Sequence, residues 1–169
     1  MTASLVVFLA AFVPMIVEAA LSKRNERALR LRGAVEPRGD VYAIMQVAYP
    51  ACFLGIVAEG WLRSARVGAS FGAGAIVFVV AKVLKYWAIR SLRGRWTFRV
   101  LVPPDDRRVR SGPYRYLDHP NYLAVAGEIA GAALMAGAPV AGLLSFVLFG
   151  GLMLARIRVE ERALDAGAR

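Results

Sequence analysis

The sequence is poor in the residues on which several kinds of chemistry depend. It has one cysteine, Cys52, and one histidine, His119, in 169 residues. A lone cysteine excludes an internal disulfide and a thiolate metal cage, and a lone histidine excludes a histidine cluster, so no resident metal is expected. Acidic residues are also scarce, with 12 Asp and Glu against 22 Lys and Arg and a net charge of +10. Such a surplus can mark a nucleic-acid binder. Here the cations lie between apolar runs and form no aromatic-interleaved basic surface, so nucleic acid is not an expected partner. The chain lacks a convincing internal repeat or low-complexity stretch and reads as one domain, residues 1–169. Gly72-Ala-Gly74-Ala-Ile76 echoes a dinucleotide fingerprint, but it has no third glycine and follows no strand.

What the sequence has in abundance is apolar length. It is 58% hydrophobic, with a mean hydropathy of +0.50, where a soluble domain sits at about 45–50% apolar. The excess falls into runs near the roughly 20 residues needed to span a bilayer. The expectation is an all-α polytopic membrane protein with about five transmembrane helices, at residues 4–21, 41–62, 69–89, 122–137 and 140–155. The first run has no basic residue before it and no clear small-residue cleavage site, so it reads as a retained span. With five spans, segments 22–40, 90–121 and 156–169 share one side and carry 18 of the 22 Lys and Arg. The positive-inside rule then places the N-terminus outside, and both long loops and the C-terminus in the cytoplasm. Lys82 and Lys85, near the Arg-rich end of the third span, are expected to snorkel toward the interface. Gly127 with Gly131, and Gly68 with Gly72, read as close helix-packing pairs.

Chemistry is expected where the polar segments meet the membrane. Loop 90–121 ends in Arg110-Ser-Gly-Pro-Tyr-Arg-Tyr-Leu-Asp-His-Pro-Asn-Tyr122. Pro120 suits a first helical turn, which places His119 at the helix cap, beside free N–H groups that favour an anion. The tail begins Arg156-Ile-Arg-Val-Glu-Glu-Arg-Ala-Leu164. Ala138 and Pro139 leave only a tight turn between the last two spans, which should pair as an antiparallel hairpin. That pairing brings His119 and Tyr122 near Glu160 and Glu161. Taken alone, the two glutamates read as a solvated tail with i,i+4 pairs such as Arg156 with Glu160. Carboxylates within spans are costly and functional by default. Among them Glu128 lies about two turns into the fourth span, whereas Glu18 and Glu59 sit near span ends and mark boundaries, Glu18 within reach of Lys23 or Arg24. Glu128, His119 and Arg156 are the catalytic candidates. Tyr86, Trp87, Arg90, Trp96 and Arg99 form an aromatic and cationic belt that could also line a pocket for a lipid-like substrate.

Gly112-Pro-Tyr-Arg-Tyr116, then His119-Pro-Asn-Tyr122, then Glu160-Glu161 with Leu164, together resemble the isoprenylcysteine carboxyl methyltransferase family, and its short bacterial branch most closely. Lys23-Arg-Asn-Glu26, Tyr86-Trp87 and Trp96 fit as well. The resemblance implies a membrane enzyme that uses S-adenosylmethionine to methylate an oxygen of a lipophilic molecule. It also implies that Pro113, Tyr114, Tyr116, His119, Pro120, Tyr122, Glu160, Glu161 and Leu164 enclose the cofactor, so that loop 90–121 and tail 156–169 form its site. Alkylpyrones and alkylresorcinols are acceptors of some bacterial relatives. Asp118 stands where the family usually has Arg before its His-Pro pair, and the chain runs only eight residues past Glu161. The shorter tail argues against a prenylcysteine peptide as substrate.

The residues are chemically apt for this cofactor. It carries a sulfonium, an ammonium and a carboxylate, which call for aromatic faces, carboxylates and hydrogen-bond donors, and the two clusters hold all three. Methyl transfer is an in-line displacement, so positioning supplies much of the catalysis. Glu128 or His119 could take a proton from a weakly acidic acceptor. The expected partners are a lipophilic small molecule and membrane lipids. Two alternatives remain: an NADPH-dependent membrane reductase of the sterol-reductase type, and a non-catalytic lipid-binding membrane protein.

Overall fold

A computed structural model of the chain describes residues 2–37, 39–65, 67–104 and 109–167, with side chains through Arg162. Among the described residues there are five α-helices: α1 (Thr2–Leu31), α2 (Tyr42–Leu62), α3 (Ala69–Leu92), α4 (Pro120–Ala136) and α5 (Pro139–Gly167). Short 3-10 turns at Arg93–Arg95 and Gly112–Arg115 flank the long loop between α3 and α4. The only strand-like pairing among the described residues is an isolated antiparallel bridge between Val35 and Val102.

Four helices, α1, α2, α3 and α5, are long and apolar enough to cross a membrane, and the protein is a multi-pass membrane protein. Helix α4 has 17 residues, about 25 Å, and packs against all four others, with Ala124, Glu128, Ile129, Ala132 and Ala136 fully buried and Leu123 and Leu134 on its exposed side. The outer faces carry Ile16, Val47, Ile76, Val83, Leu143 and Leu148, all more than half exposed, as expected of helices whose solvent is lipid.

Two helices run beyond their apolar runs. Helix α1 continues through Ser22–Leu31 and α5 through Arg156–Gly167. Both extensions are rich in Arg, Glu, Leu and Ala, good helix formers, and neither holds a proline or an internal glycine. Hydrogen bonding therefore continues from the membrane into the polar layer, and the charged flanks stand as rigid helical posts.

The α4–α5 turn has the expected tightness. Gly137 takes a left-handed conformation (φ +58°) that only glycine adopts without strain, and Ala138 N–H closes on Ala133 O at 2.9 Å. Glu59 of α2 then caps α5 from outside, accepting Val140 N–H at 3.3 Å and Ala141 N–H at 2.6 Å while pairing with Arg63 at 2.7 Å. It was expected only to mark a boundary; it also ties α2 to the hairpin.

Helices α3 and α4 meet backbone to backbone. A Cβ at Gly131 would lie 2.6 Å from Phe78 N, one at Gly74 2.6 Å from Met135 N, and one at Gly127 2.9 Å from Ala81 Cβ. The expected role of Gly127 and Gly131 stands, but their counterpart on α3 is Gly74. Gly68 and Gly72, expected to pack, face open space: a Cβ at either would meet nothing within 4 Å.

Candidate active site

The site begins where α4 starts. Gly112 (φ +61°) and Pro113 open the 3-10 turn, and Tyr116 and Leu117 N–H both close on Pro113 O at 3.0 Å. The chain then enters α4 through His119 at the N-cap and Pro120 at the first helical position. The α4–α5 hairpin carries the outgoing end of α5 back to this point. His119 Nε2 lies 3.2 Å from Glu161 Oε1, and Tyr122 OH donates to Glu160 Oε2 at 2.9 Å. The same hydroxyl accepts from Arg156 Nε at 2.9 Å, which fixes its orientation. Burial, then the Glu160 carboxylate, push the Tyr114 phenol well above its ordinary value, so Tyr114 remains a hydrogen-bond donor.

Arg156 is nearly buried and does not pair with Glu160 as its i,i+4 spacing suggested. It reaches Asp40 Oδ1 at 3.3 Å and the Phe98 carbonyl. Asp40 also accepts Val100 N–H at 3.1 Å, Ser22 Oγ accepts Phe98 N–H at 2.8 Å, and Asn25 Nδ2 donates to Trp96 O at 2.8 Å. Segment 96–102 is thereby pinned between the polar extensions of α1 and α5. Arg99 holds Glu36 at 2.7 Å and lies over the Tyr42 ring, 4.4 Å from its centroid. Partial burial alone would raise the Glu36 carboxyl; Arg30 and Arg99 outweigh it and hold it below its ordinary value.

This strap walls a cavity of about 800 Å³, within the size range of small-molecule sites. Its polar mouth is lined by Tyr114, His119, Asn121, Tyr122, Glu160 and Glu161. By helix position it then runs toward mid-membrane past Met15, Met45, Pro50, Val125, Phe149 and Met153. Tyr49 and Lys85 also line it.

Behind Tyr49 and Lys85 lies a buried charge cluster that joins four helices. Lys85 of α3, 2% exposed, is 2.7 Å from Glu18 of α1 and 3.3 Å from Glu128 of α4. Lys82 lies 3.0 Å from Glu18 and 3.2 Å from Glu128. Tyr49 of α2 donates its hydroxyl proton to Glu128. Three expectations are corrected. The two lysines do not snorkel to the interface; each turns inward to both carboxylates. Glu18 pairs with them across the bundle, neither with Lys23 nor with Arg24. Glu128 does not line the cavity, because Tyr49 and Lys85 stand in front of it.

The half of the chain that holds both polar clusters also decides its kinship. The model of the isoprenylcysteine carboxyl methyltransferase (ICMT) family matches residues 74–166, more than half of the chain. The chain belongs to this family. ICMT-family enzymes are membrane methyltransferases that in general use S-adenosylmethionine. The chain is 31% identical to the uncharacterised protein YpbQ of Bacillus subtilis (strain 168) over 90% of its length and 91% of the relative's. It is 24% identical to an uncharacterised protein of Haemophilus influenzae over 86% of each. No solved structure matches it.

The ICMT-family match runs from α3 to α5, so the parts of the cavity built by α1 and α2, including Tyr49, lie outside it. Of the expected cofactor residues, Tyr114, His119, Tyr122, Glu160 and Glu161 line the cavity. Pro113 and Pro120 are buried beneath them and shape the two turns. Tyr116 does not line it and is 73% exposed, because the 3-10 turn aims alternate tyrosines to opposite sides. Leu164 lies outside the described side chains. Of the expected substrate residues, Trp96 and Arg99 reach the cavity. Tyr86, Trp87 and Arg90 do not: Trp87 and Arg90 line a separate shallow groove with Ser91, Arg93, Ser111 and Gly112, and Tyr86, 44% exposed, reaches Glu18 of the buried cluster with its hydroxyl. Sequence reading missed Asp40, Tyr49 and Lys85. Tyr49 and Asp40 carried no local signal; Lys85 could have been found by asking what pairs with Glu18 and Glu128.

Proposed function

We infer that this protein is an S-adenosylmethionine-dependent O-methyltransferase of a lipophilic small molecule, such as an alkylpyrone, an alkylresorcinol or a related lipid enol or carboxylate, acting at the cytoplasmic face of the cell membrane. One observation carries the reading. A single cavity joins a mouth of two carboxylates, an imidazole and two phenols to a shaft of apolar side chains. A water-soluble, zwitterionic cofactor and a lipid acceptor need those two ends.

The residues at the mouth fit the cofactor. Glu161 is half exposed and Glu160 borders the same space, so both can take up an ammonium or ribose hydroxyls. The Asn121 carbonyl oxygen is buried in the wall with no hydrogen-bond partner among the described residues, a site suited to an amino group of the ligand. Tyr114 and Tyr122 offer aromatic faces for the adenine and the sulfonium. When bound, the cofactor supplies an electrophilic methyl group on sulfur. Arg156, locked by Asp40, the Phe98 carbonyl and Tyr122, holds the mouth in register with segment 96–102, so that the two reactants meet in line. The apolar shaft below excludes water from the transfer.

The test is a thermal-shift titration of the detergent-solubilised protein. Stabilisation by S-adenosylhomocysteine but not by NADPH is expected. Stabilisation by NADPH alone would replace the methyltransferase reading with a reductase, and indifference to both would leave a lipid-binding protein.

A further inference from the structure

The shallow groove at the polar end of α3 lies outside the cavity, and its cations differ from others on the charge-rich side of the protein. Arg30 and Arg99 hold Glu36 at 2.8 and 2.7 Å, and Arg156 holds Asp40 at 3.3 Å. Arg90 and Arg93 line the groove, are both exposed, and have no side-chain ion pair or hydrogen bond among the described residues. Arg93 is held at φ +53°, strained for any residue with a side chain, although Gly94 follows it. Gly112 (φ +61°) closes the far side. A Cβ there would run into Ser91 Oγ and lie 3.1 Å from Trp87 Nε1, so the indole nitrogen borders the same space as the two arginines. The groove also meets the lipid-facing surface. Ile76, Val80, Val83, Trp87 and Arg90 follow one another at spacings of three or four residues, which is one stripe along a helix. All five are exposed. Along that stripe an apolar run gives way to an indole and then to unpaired guanidiniums, the order in which a phospholipid presents its acyl chains, its interfacial layer and its phosphate.

We propose that this groove binds the headgroup of an anionic phospholipid, with its phosphate between Arg90 and Arg93 and an acyl chain along Val83, Val80 and Ile76. Guanidiniums pair with phosphate through parallel N–H bonds, and basic pockets at the ends of membrane helices take up such headgroups. A zwitterionic headgroup brings an ammonium of its own, which two unpaired arginines disfavour. A free phosphate would use the guanidiniums and leave the apolar stripe below them without a role, so the lipid is the source that fits. The site stands apart from the methyl-transfer chemistry and does not depend on it. The two touch at one point. Gly112 belongs both to the groove and to the 3-10 turn that carries Tyr114 to the cavity mouth, so a bound lipid ties that turn to the membrane surface.

The experiment reconstitutes the full chain in phosphatidylcholine vesicles that contain either brominated phosphatidylglycerol or brominated phosphatidylcholine, and reads which lipid lies against a tryptophan by the quenching of its fluorescence. Trp61→Phe leaves Trp87 as the tryptophan exposed to lipid, because Trp96 is buried. Trp87→Phe leaves Trp61, exposed at the opposite end of the bundle. A preference for phosphatidylglycerol of about 10-fold is expected at Trp87, and about equal quenching by the two lipids at Trp61. Arg90→Gln and Arg93→Gln should each lower the preference at Trp87 by about 3-fold, and together bring it near parity. Arg158→Gln removes an exposed cation outside the groove and should leave the preference within about 1.5-fold. Inorganic phosphate at about 10 mM, with ionic strength held constant, should not change it. No preference at Trp87, or an equal one at Trp61, overturns the proposal. So does an equal loss in Arg158→Gln, which would show diffuse attraction to the surface. Loss of the preference on adding phosphate would make the groove a site for a soluble anion and overturn the choice of a lipid. If Trp61→Phe does not fold, the wild type with and without the arginine substitutions decides by the same comparison.

Discussion

Two glutamates stand at the mouth of the cavity and two more behind its floor, in opposite states. At the mouth, Glu160 and Glu161 face one phenol and one imidazole, and Glu161 is half exposed. Behind the floor, Glu18 and Glu128 are 1% and 0% exposed and each faces two ammoniums. The first pair has capacity to spare for a ligand's charge. The second has none, and serves instead to bind α1, α2, α3 and α4 and to orient Tyr49. Position along the helix, more than residue type, thus separates groups that recognise a ligand from groups that fix the frame around it.

This contrast breaks most visibly if one member of the floor is removed. Glu18→Leu leaves two buried ammoniums with a single carboxylate, and a loss of about 3–5 kcal/mol is expected, read as a fall in the melting temperature of the solubilised protein. Glu161→Gln at the mouth should cost under about 1 kcal/mol in the same assay. Equal losses would erase the distinction. Gly131→Ala probes the seam that carries Glu128. Its Cβ would stand 2.6 Å from Phe78 N, so α3 and α4 must part, at about 1–3 kcal/mol.

A smaller effect sharpens the mouth. Tyr122→Phe removes a donor to Glu160 and an acceptor for Arg156. Binding of S-adenosylhomocysteine, followed by calorimetry, should weaken by about 10-fold, with the melting temperature of the free protein changed little. The smallest effect lies outside both ends. Glu36, held below its ordinary carboxyl value by Arg30 and Arg99, contributes stability above that value and loses it as the pH falls through its lowered one. The loss is about 0.2–1 kcal/mol. Glu36→Gln should abolish this part of the acid-side decline in melting temperature.

The two regions also differed in how far they could be read from the chain. The mouth was legible because its elements are local. Pro120 fixes a helix start, Ala138-Pro139 allows only a tight turn, and a hairpin of similar helices must bring 119–122 and 160–161 together. The helical continuation of α1 and α5 into charged sequence was less visible, since hydropathy marks the membrane and not the helix. The floor was opaque. Snorkelling and inward pairing predict the same sequence at Lys82 and Lys85, and the choice depends on which faces of α1, α3 and α4 meet. Gly74, Gly127 and Gly131 decide that by letting α3 and α4 approach closely. Tyr49, an aromatic residue in an apolar run one position before Pro50, had nothing local to distinguish it from packing. Asp40 and Arg156, 116 positions apart, are joined only by the fold.

The central claim is that the cofactor occupies the mouth and not the floor. Titration calorimetry with S-adenosylhomocysteine on wild type, His119→Ala, Glu161→Gln and Tyr49→Phe tests it most directly. The account predicts a loss of about 10-fold or more for the two mouth variants, and an affinity within about 2-fold of wild type for Tyr49→Phe. Wild-type affinity in both mouth variants, or a loss in Tyr49→Phe as large as theirs, would contradict it.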